Sequence, residues 1–358
     1  MSSPEVPKRA QVVGTGLIGG SVAGALRRAG WWVTVSDRDP QVADRAVALG
    51  LADQAGTDLT AQLVVVATPV GDVAACAREA LEVFRHAVVT DVGSVKQPVT
   101  EAVSHPGFVG GHPMAGSEQD GLDGARPTMF DGAVWVLTPT DDTDPTAYAL
   151  VHSVAVSLGS DVLTMSPEDH DAVVAMVSHV PHLTAATLMG LASRRGQDHT
   201  GLLRIAAGGF RDMTRIASGR PGIWPDICGA NRSAILAVLD DLIEELGDVR
   251  SIVASGDRPA LLDRLELARS ARRSLPVGAQ AAAGLSEIRV TVPDRPGQIA
   301  LVATVASEQG VNLFDIEIAH SAEGERGVIV VVIDASRADD LCEALADVGL
   351  STAVQEVS

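Results

Sequence analysis

A short apolar run, Gln11-Val12-Val13, leads directly into Gly14-Thr15-Gly16-Leu17-Ile18-Gly19-Gly20-Ser21, and the residues after it, Val22 to Gly30, have helical composition with a glycine as the stop. Glycines spaced GxGxxG between a strand and a helix leave a chain few ways to fold. Gly14 permits the tight turn, Gly16 lets a pyrophosphate approach the backbone, and Gly19 lets the helix pack on the strand, with the helix N-terminus facing the phosphates. Leu17 and Ile18 belong to the same cradle. A second strand, Trp31 to Ser36, ends in Asp37, at the separation expected of the carboxylate that binds an adenine ribose. Asp37 favours NAD because its charge repels a 2′-phosphate, whereas Arg38 beside it leaves NADP open.

Further strands are predicted at Gln62 to Ala67 and His86 to Asp91, separated by a helix over Asp72 to Phe84. Alternating β and α predicts a parallel, doubly wound (Rossmann) sheet. The polar loops after these strands, Thr68-Pro69-Val70 and Asp91 to Lys96, belong at the carboxyl edge, where ligands bind, so Thr68 and Pro69 join the cofactor candidates. The chain has two lysines, Lys8 and Lys96, against twenty-five arginines, and in so lysine-poor a sequence Ser94 and Lys96 read as site residues rather than as a cap and a solvated charge.

The stretch Gly110 to Gly121 sets His112, Ser117, Glu118 and Asp120 among glycines and a proline. It reads as a loop, and His112, without apolar neighbours at helical or strand spacing, as its reactive group. A strand at Ala133 to Leu137, a helix to Leu158 and a strand near Asp161 to Met165 close the first domain, residues 1–165. From Ser166-Pro167-Glu168, a helix start, an apolar run reaches Leu191 and calls for burial against other helices or a second subunit. Pro181 should kink it between His179 and His182. Those two histidines share a face, but no HExxH, cysteine cluster or carboxylate partner accompanies them, so no metal site is expected. Asp212 and Arg215, followed by Trp224, could form a switchable ion pair that presents a guanidinium to a carboxylate. Helices over Asn231 to Val249 and Leu261 to Ala268 complete an all-helical second domain, 166–274. A linker, 275–284, precedes a module over 285–358 that reads βαββαβ, a ferredoxin-like order.

A net charge of -19 argues against nucleic-acid or anionic-membrane partners and favours a small molecule. Cys76, Cys228 and Cys342 form no ligand pattern, the N-terminus lacks an apolar core, and no run of about 18 apolar residues occurs. A cytoplasmic protein without a membrane segment is expected.

Gly14 to Ser21, Asp91 to Lys96, Gly110 to Glu118, Ser178-His179-Val180-Pro181-His182, and Gly209 to Ile216 with Trp224 together resemble the prephenate dehydrogenases, the TyrA family of tyrosine biosynthesis. The tail, with Asp294-Arg295-Pro296-Gly297-Gln298 and Asn312, looks like an ACT domain, an amino-acid-sensing module. The resemblance implies NAD-dependent oxidation of prephenate with loss of CO2, giving 4-hydroxyphenylpyruvate, in a homodimer. It makes His112 the base and Ser94 its partner at the substrate hydroxyl. Arg215 becomes the carboxylate anchor, helped by His182, Trp224 and Ser117, with Glu118 and Asp212 pairing with Arg215 in the empty site. Gln119, where many members have lysine, leaves prephenate only modestly preferred over arogenate. Asp294, Gly297 and Asn312 are the expected regulatory residues, for tyrosine or another aromatic amino acid. A β-hydroxyacid dehydrogenase is disfavoured by the lack of any lysine after Lys96. A non-catalytic sensor of NAD and an amino acid would have no use for His112, Ser94, His182 and Arg215 together.

Overall fold

The computed structural model describes residues 8–117, 119, 121–198, 208–274, 285–293, 295–320 and 326–356. The chain divides into two compact units, Met1–Gly247 and Asp248–Ser358. The first begins with β1 (Arg9–Val13), α1 (Leu17–Arg28), β2 (Trp32–Ser36), α2 (Pro40–Ala48), β3 (Gln54–Ala55), β4 (Leu63–Val66), α3 (Val73–Val83), β5 (Val88–Asp91) and α4 (Gln97–Ala102). It continues with β6 (Phe108–Pro113), β7 (Val134–Thr138), α5 (Pro145–Ser157) and β8 (Asp161–Thr164). These strands form one sheet in the order β3-β2-β1-β4-β5-β6-β7-β8.

Consecutive valines explain how the sheet is covered on both faces. In β4, Val65 joins the core formed with α1 and α5, through Leu26 and Val151, while its neighbours Val64 and Val66 join the core formed with α3, through Val73 and Ala77. Strand side chains alternate between faces, so a run of β-branched residues suits a strand buried on both sides.

Two expectations need correction. The sheet is not wholly parallel, because β7 runs antiparallel to β6, with His112 opposite Val136. Among the described residues between them lie a loop and one 3-10 turn, Gly121–Gly124, instead of the crossover helix that a parallel connection requires. His112 is also not on a loop but near the end of β6. Gly110 and Gly111 hide that strand from a propensity reading, and close packing explains them. A Cβ on Gly110 would lie 2.4 Å from Thr138 Oγ1, and one on Gly111 would lie 2.7 Å from the Asp91 carbonyl.

The helical part of this unit contains α6 (Pro167–Val174), a π-helical turn (Ala175–His179), α7 (Val180–Asp198), α8 (Gly208–Thr214), α9 (Trp224–Ala230) and α10 (Arg232–Ser255), which runs past the unit's end. Pro181 lies one residue into α7, directly after the π-helical turn. Lacking an N–H for the carbonyl four residues back, it is accommodated by the widened turn on its N-terminal side. Val173, Met176, Val177 and Leu191 are exposed along this run. By length and hydropathy alone Pro167–Arg195 could cross a membrane, although His170 and Asp171 within it are buried in the protein, as in a core helix.

In the second unit, α11 (Arg258–Arg273) precedes β9 (Leu285–Pro293), α12 (Gln298–Glu308), β10 (Asp315–His320), β11 (Arg326–Asp334), α13 (Ala338–Asp347) and β12 (Ser351–Glu356). The order is βαββαβ, and the antiparallel sheet runs β10-β11-β9-β12. Ile288, Val290 and Val292, two residues apart on β9, meet Val302 and Val305 of α12 and Leu341 and Leu345 of α13 in one core. The linker 275–284 and Asp294 lie outside the described residues.

Candidate active site

The glycines of the β1–α1 turn divide their work. Gly14 has φ +92°, and a Cβ there would sit 2.6 Å from the Ala67 carbonyl; one on Gly19 would sit 1.9 Å from the Gly14 carbonyl. Both are required for the turn to close. Gly16 has nothing within 4 Å of the equivalent position, so the space above it is open. It also caps the N-terminus of α1, where no side chain takes the free N–H groups and no acidic residue occupies the first turn. A helix N-terminus left uncapped by side chains beneath an open glycine suits a diphosphate.

Asp37, just past β2, accepts hydrogen bonds from Thr15 N (2.8 Å) and Thr15 Oγ1 (3.0 Å), which fix its carboxylate beside the glycine turn. With Thr15, Gly16, Val42 and Arg45 it lines a small cleft of about 230 Å³. Arg38 points to solvent and lines neither this cleft nor the larger one. On the other side of the turn, Leu17, Ile18, Thr68 and Pro69 line the larger cleft of about 700 Å³, and the Thr68 hydroxyl is buried there without a hydrogen-bond partner. A dinucleotide laid over Gly16 would find a ribose acceptor at one end and an unsatisfied hydroxyl at the other.

The same large cleft is lined by Ser94, His112, Ser117, His179, Arg220, Trp224 and Asp226. Behind its surface, His112 Nδ1 lies 2.9 Å from His170 Nε2, and His170 Nδ1 lies 2.7 Å from Asp171 Oδ1. His170 and Asp171 are buried and His112 is half-buried. Burial, reinforced by His170, Lys96 and His179, holds the His112 ring well below the usual imidazole range. Burial likewise brings His179 down to about 4, against the pull of Asp171 and with the help of His170. Both rings are therefore neutral at physiological pH, and a neutral imidazole is what a proton acceptor needs.

Lys96 sits beneath this row. Its ammonium donates to Asp91 and to the Gly111 carbonyl (2.9 Å), the peptide that precedes His112. Asp91 in turn accepts from Gly93 N (2.8 Å) and Gly111 N (3.1 Å). The fully buried pair thus joins the end of β5 to β6, while burial pulls the lysine down and Asp91 pulls it up. Among the described residues no cluster could hold a metal ion.

Residues 22–164 match the family model of the prephenate dehydrogenase nucleotide-binding domain, and residues 166–267 that of the prephenate dehydrogenase dimerization domain. Prephenate dehydrogenase of Bacillus subtilis is 32% identical over 94% of this chain and 96% of its own length. Cyclohexadienyl dehydrogenase of Zymomonas mobilis is 36% identical over 75% of this chain and 96% of its own. The chain belongs to the prephenate dehydrogenase family. Among solved structures, prephenate dehydrogenase from A. aeolicus in complex with hydroxyphenyl propionate and NAD+ matches with a TM-score of 0.71 and 30% identity, over 76% of this chain and all of that one. Synechocystis arogenate dehydrogenase matches with a TM-score of 0.65 and 34% identity, over 74% of this chain and 98% of that one. This family member is an NAD-dependent oxidoreductase, and the cradle over Gly16 with the carboxylate of Asp37 fits that cofactor.

The structure gathers some of the predicted site residues of this dehydrogenase and separates others. Ser94, His112, Ser117 and Trp224 meet in the cleft with Leu17, Ile18, Thr68 and Pro69. His182 stands behind Trp224, stacked on its ring at 3.7 Å between centroids. Arg215 opens a 3-10 turn and is not among the cleft-lining residues, whereas Arg220, five residues on, is. Asp212 lines a separate apolar groove with Met176, Val180 and Leu242. Glu118 lies outside the described residues.

His170, Asp171, Asn231 and Arg220 are missing from the sequence reading. His170 and Asp171 sit in the first turns of a helix, where an acidic stretch reads as a solvated start. Only the polar pair recurring inside an apolar run could have marked them as buried.

Proposed function

We propose that this enzyme oxidises and decarboxylates prephenate to 4-hydroxyphenylpyruvate, with NAD as the hydride acceptor. The supporting observation is His112 at the lining of the large cleft, backed by His170 and Asp171, beside the residues that would hold the cofactor. Gly14, Gly16, Gly19, Leu17 and Ile18 hold the dinucleotide, Asp37 its ribose, and Thr68 and Pro69 its far end. Once bound, NAD supplies the site with a hydride acceptor.

His112 takes the proton of the ring hydroxyl as hydride leaves the same carbon, and Ser94 bonds that oxygen or orients the imidazole. The new carbonyl is conjugated to the carbon that bears the ring carboxylate. The bond to that carboxylate breaks, its electron pair enters the ring, CO2 departs and the ring becomes aromatic. The phenolate recovers the proton from His112, so no net proton is released. Arg215 and Arg220 supply guanidinium anchors for the two carboxylates, with Ser117, His182 and Trp224 shaping the pocket.

Arogenate is the second reading, because Asp226 lines the same cleft and would attract its ammonium. Reduction of NAD in the presence of prephenate, compared with arogenate, tests both. Turnover of neither would sink the proposed reaction and leave an NAD-binding sensor.

The exposed apolar residues of α6 to α7 and the dimerization-domain match support a homodimer, and a cytoplasmic setting suits the reaction. For the βαββαβ module we propose an ACT-type role, binding tyrosine or another aromatic amino acid near Asp294, Gly297 and Asn312. Gly297, at φ +95° with nothing within 4 Å of a would-be Cβ, leaves its backbone open to a ligand, and Asn312 is exposed.

A further inference from the structure

One buried carboxylate touches both members of the His112–Ser94 pair through intermediaries. Asp171 Oδ1 accepts from Lys96 N at 2.8 Å, and Oδ2 accepts from Gln97 N at 2.9 Å, so the carboxylate holds the start of α4 and the end of the segment that carries Ser94. The same Oδ1 lies 2.7 Å from His170 Nδ1. Its backbone carbonyl is held in turn by Asn231 Nδ2 at 2.8 Å.

With His170 neutral, hydrogen-bond geometry gives the direction of every proton in this row. A carboxylate that accepts two amide N–H groups is ionised and offers His170 only lone pairs, so His170 Nδ1 carries the hydrogen. In neutral His170 the other nitrogen, Nε2, is then an acceptor. His112 Nδ1, 2.9 Å away, must donate to it. What remains on His112 is the Nε2 lone pair.

His179 is set the opposite way. Asn231 Nδ2 must be the amide nitrogen because it donates to the Asp171 carbonyl, so His179 Nδ1, at 3.2 Å, accepts and its Nε2 carries the hydrogen. Of the two cleft-lining histidines, one is an acceptor and the other a donor.

We infer that Asp171 is a positioning residue which acts through His170 to keep the Nε2 lone pair of His112 available for the substrate proton, and through the amides of Lys96 and Gln97 to fix the segment bearing Ser94. The inference rests on His112 being the base. As His112 takes a proton on Nε2, its positive charge is met by His170 at Nδ1 and by Asp171 beyond, and no further group need move.

Substitution reverses the row in a defined way. In Asp171→Asn the amide nitrogen can face His170 Nδ1, which places the hydrogen on His170 Nε2. That hydrogen then points at His112 Nδ1 and leaves His112 with N–H on Nε2. A triad histidine forced into the wrong tautomer in the same manner loses about 10⁴-fold in rate. His170→Gln keeps an acceptor for His112 and a donor for Asp171, whereas His170→Leu keeps only bulk.

The experiment is steady-state NAD reduction with prephenate by the full-length enzyme and its His112→Asn, Asp171→Asn, His170→Gln and His170→Leu variants, with NAD affinity measured by calorimetry. For Asp171→Asn we expect kcat to fall by about 10²–10⁴-fold while KM and NAD affinity stay within about threefold. His170→Gln should retain at least about tenfold more kcat than His170→Leu. A loss of kcat under about tenfold in Asp171→Asn, or leucine at 170 equalling glutamine, overturns the inference. If Asp171→Asn fails to fold, the order of the two His170 variants decides, because a packing role favours the apolar residue. Wild-type kcat in His112→Asn would instead remove the base itself, a failure of the proposed reaction that is distinct from failure of its positioning.

Discussion

His112 is held well below the ordinary imidazole range, and the direction fixes a pH dependence. Protonation removes the base, so kcat/KM falls as pH falls; because burial, His170, Lys96 and His179 all disfavour the cation, that fall should come well below the ordinary imidazole pKa. His112→Asn should abolish this limb and lower kcat by about 10²–10⁴-fold with substrate and NAD affinity kept. A wild-type profile falling already through neutral pH would contradict the burial argument. For the anchors, Arg215→Ala and Arg220→Ala should raise KM for prephenate more than they lower kcat, since a guanidinium on a carboxylate binds ground and transition states alike. Lysine should rescue either poorly, because it lacks the planar fork. Whichever arginine leaves KM unchanged is not an anchor. Asp37→Ser should weaken NAD and relax discrimination against NADP, because it removes both the ribose acceptor and the charge. A wild type that already prefers NADP would refute that role.

Among the elements, the β1–α1 turn separates folding from binding within one motif. Gly19→Ala places a methyl 1.9 Å from the Gly14 carbonyl, so the helix must move off the strand. Thermal denaturation should show a loss of about 1–3 kcal/mol. Gly16→Ala meets nothing within 4 Å and should leave Tm unchanged, yet raise KM for NAD by roughly tenfold, or about 1.4 kcal/mol, by crowding the pyrophosphate. Equal effects on Tm would show that Gly16 is structural too. In the helical part, the interruption expected at Pro181 is accompanied by the π-turn Ala175–His179. That turn lies on the N-terminal side of Pro181 and includes Ser178 and His179, both of which line the cleft.

At the scale of the molecule, the family models end at residue 267, and the A. aeolicus and Z. mobilis relatives leave about a quarter of this chain unmatched. The βαββαβ module has its own core, so removing it need not disturb the first unit. Truncation within 275–284 should therefore leave kcat and KM near wild type and abolish inhibition by tyrosine, measured as initial rates over a tyrosine series. A truncated enzyme that remained equally sensitive would place tyrosine at the cleft, as a competitor resembling the product.

The nucleotide-binding turn was legible in the sequence because its requirements are local: φ at Gly14, open space at Gly16 and close approach at Gly19 all operate within one strand, turn and helix. The βαββαβ order was legible for a similar reason, since period-two strands and apolar helices declare themselves one at a time. Tertiary structure alone decided that Gly110-Gly111-His112 is a strand, because its glycines answer to Asp91 and Thr138, far away in the chain. It also decided which arginine lines the cleft and which nitrogen of His112 is free. The latter is set by Asp171, 59 residues further on, through His170. No local pattern encodes such a contact, since a hydrogen-bonded row across elements depends on where the helix of one part meets the strands of another.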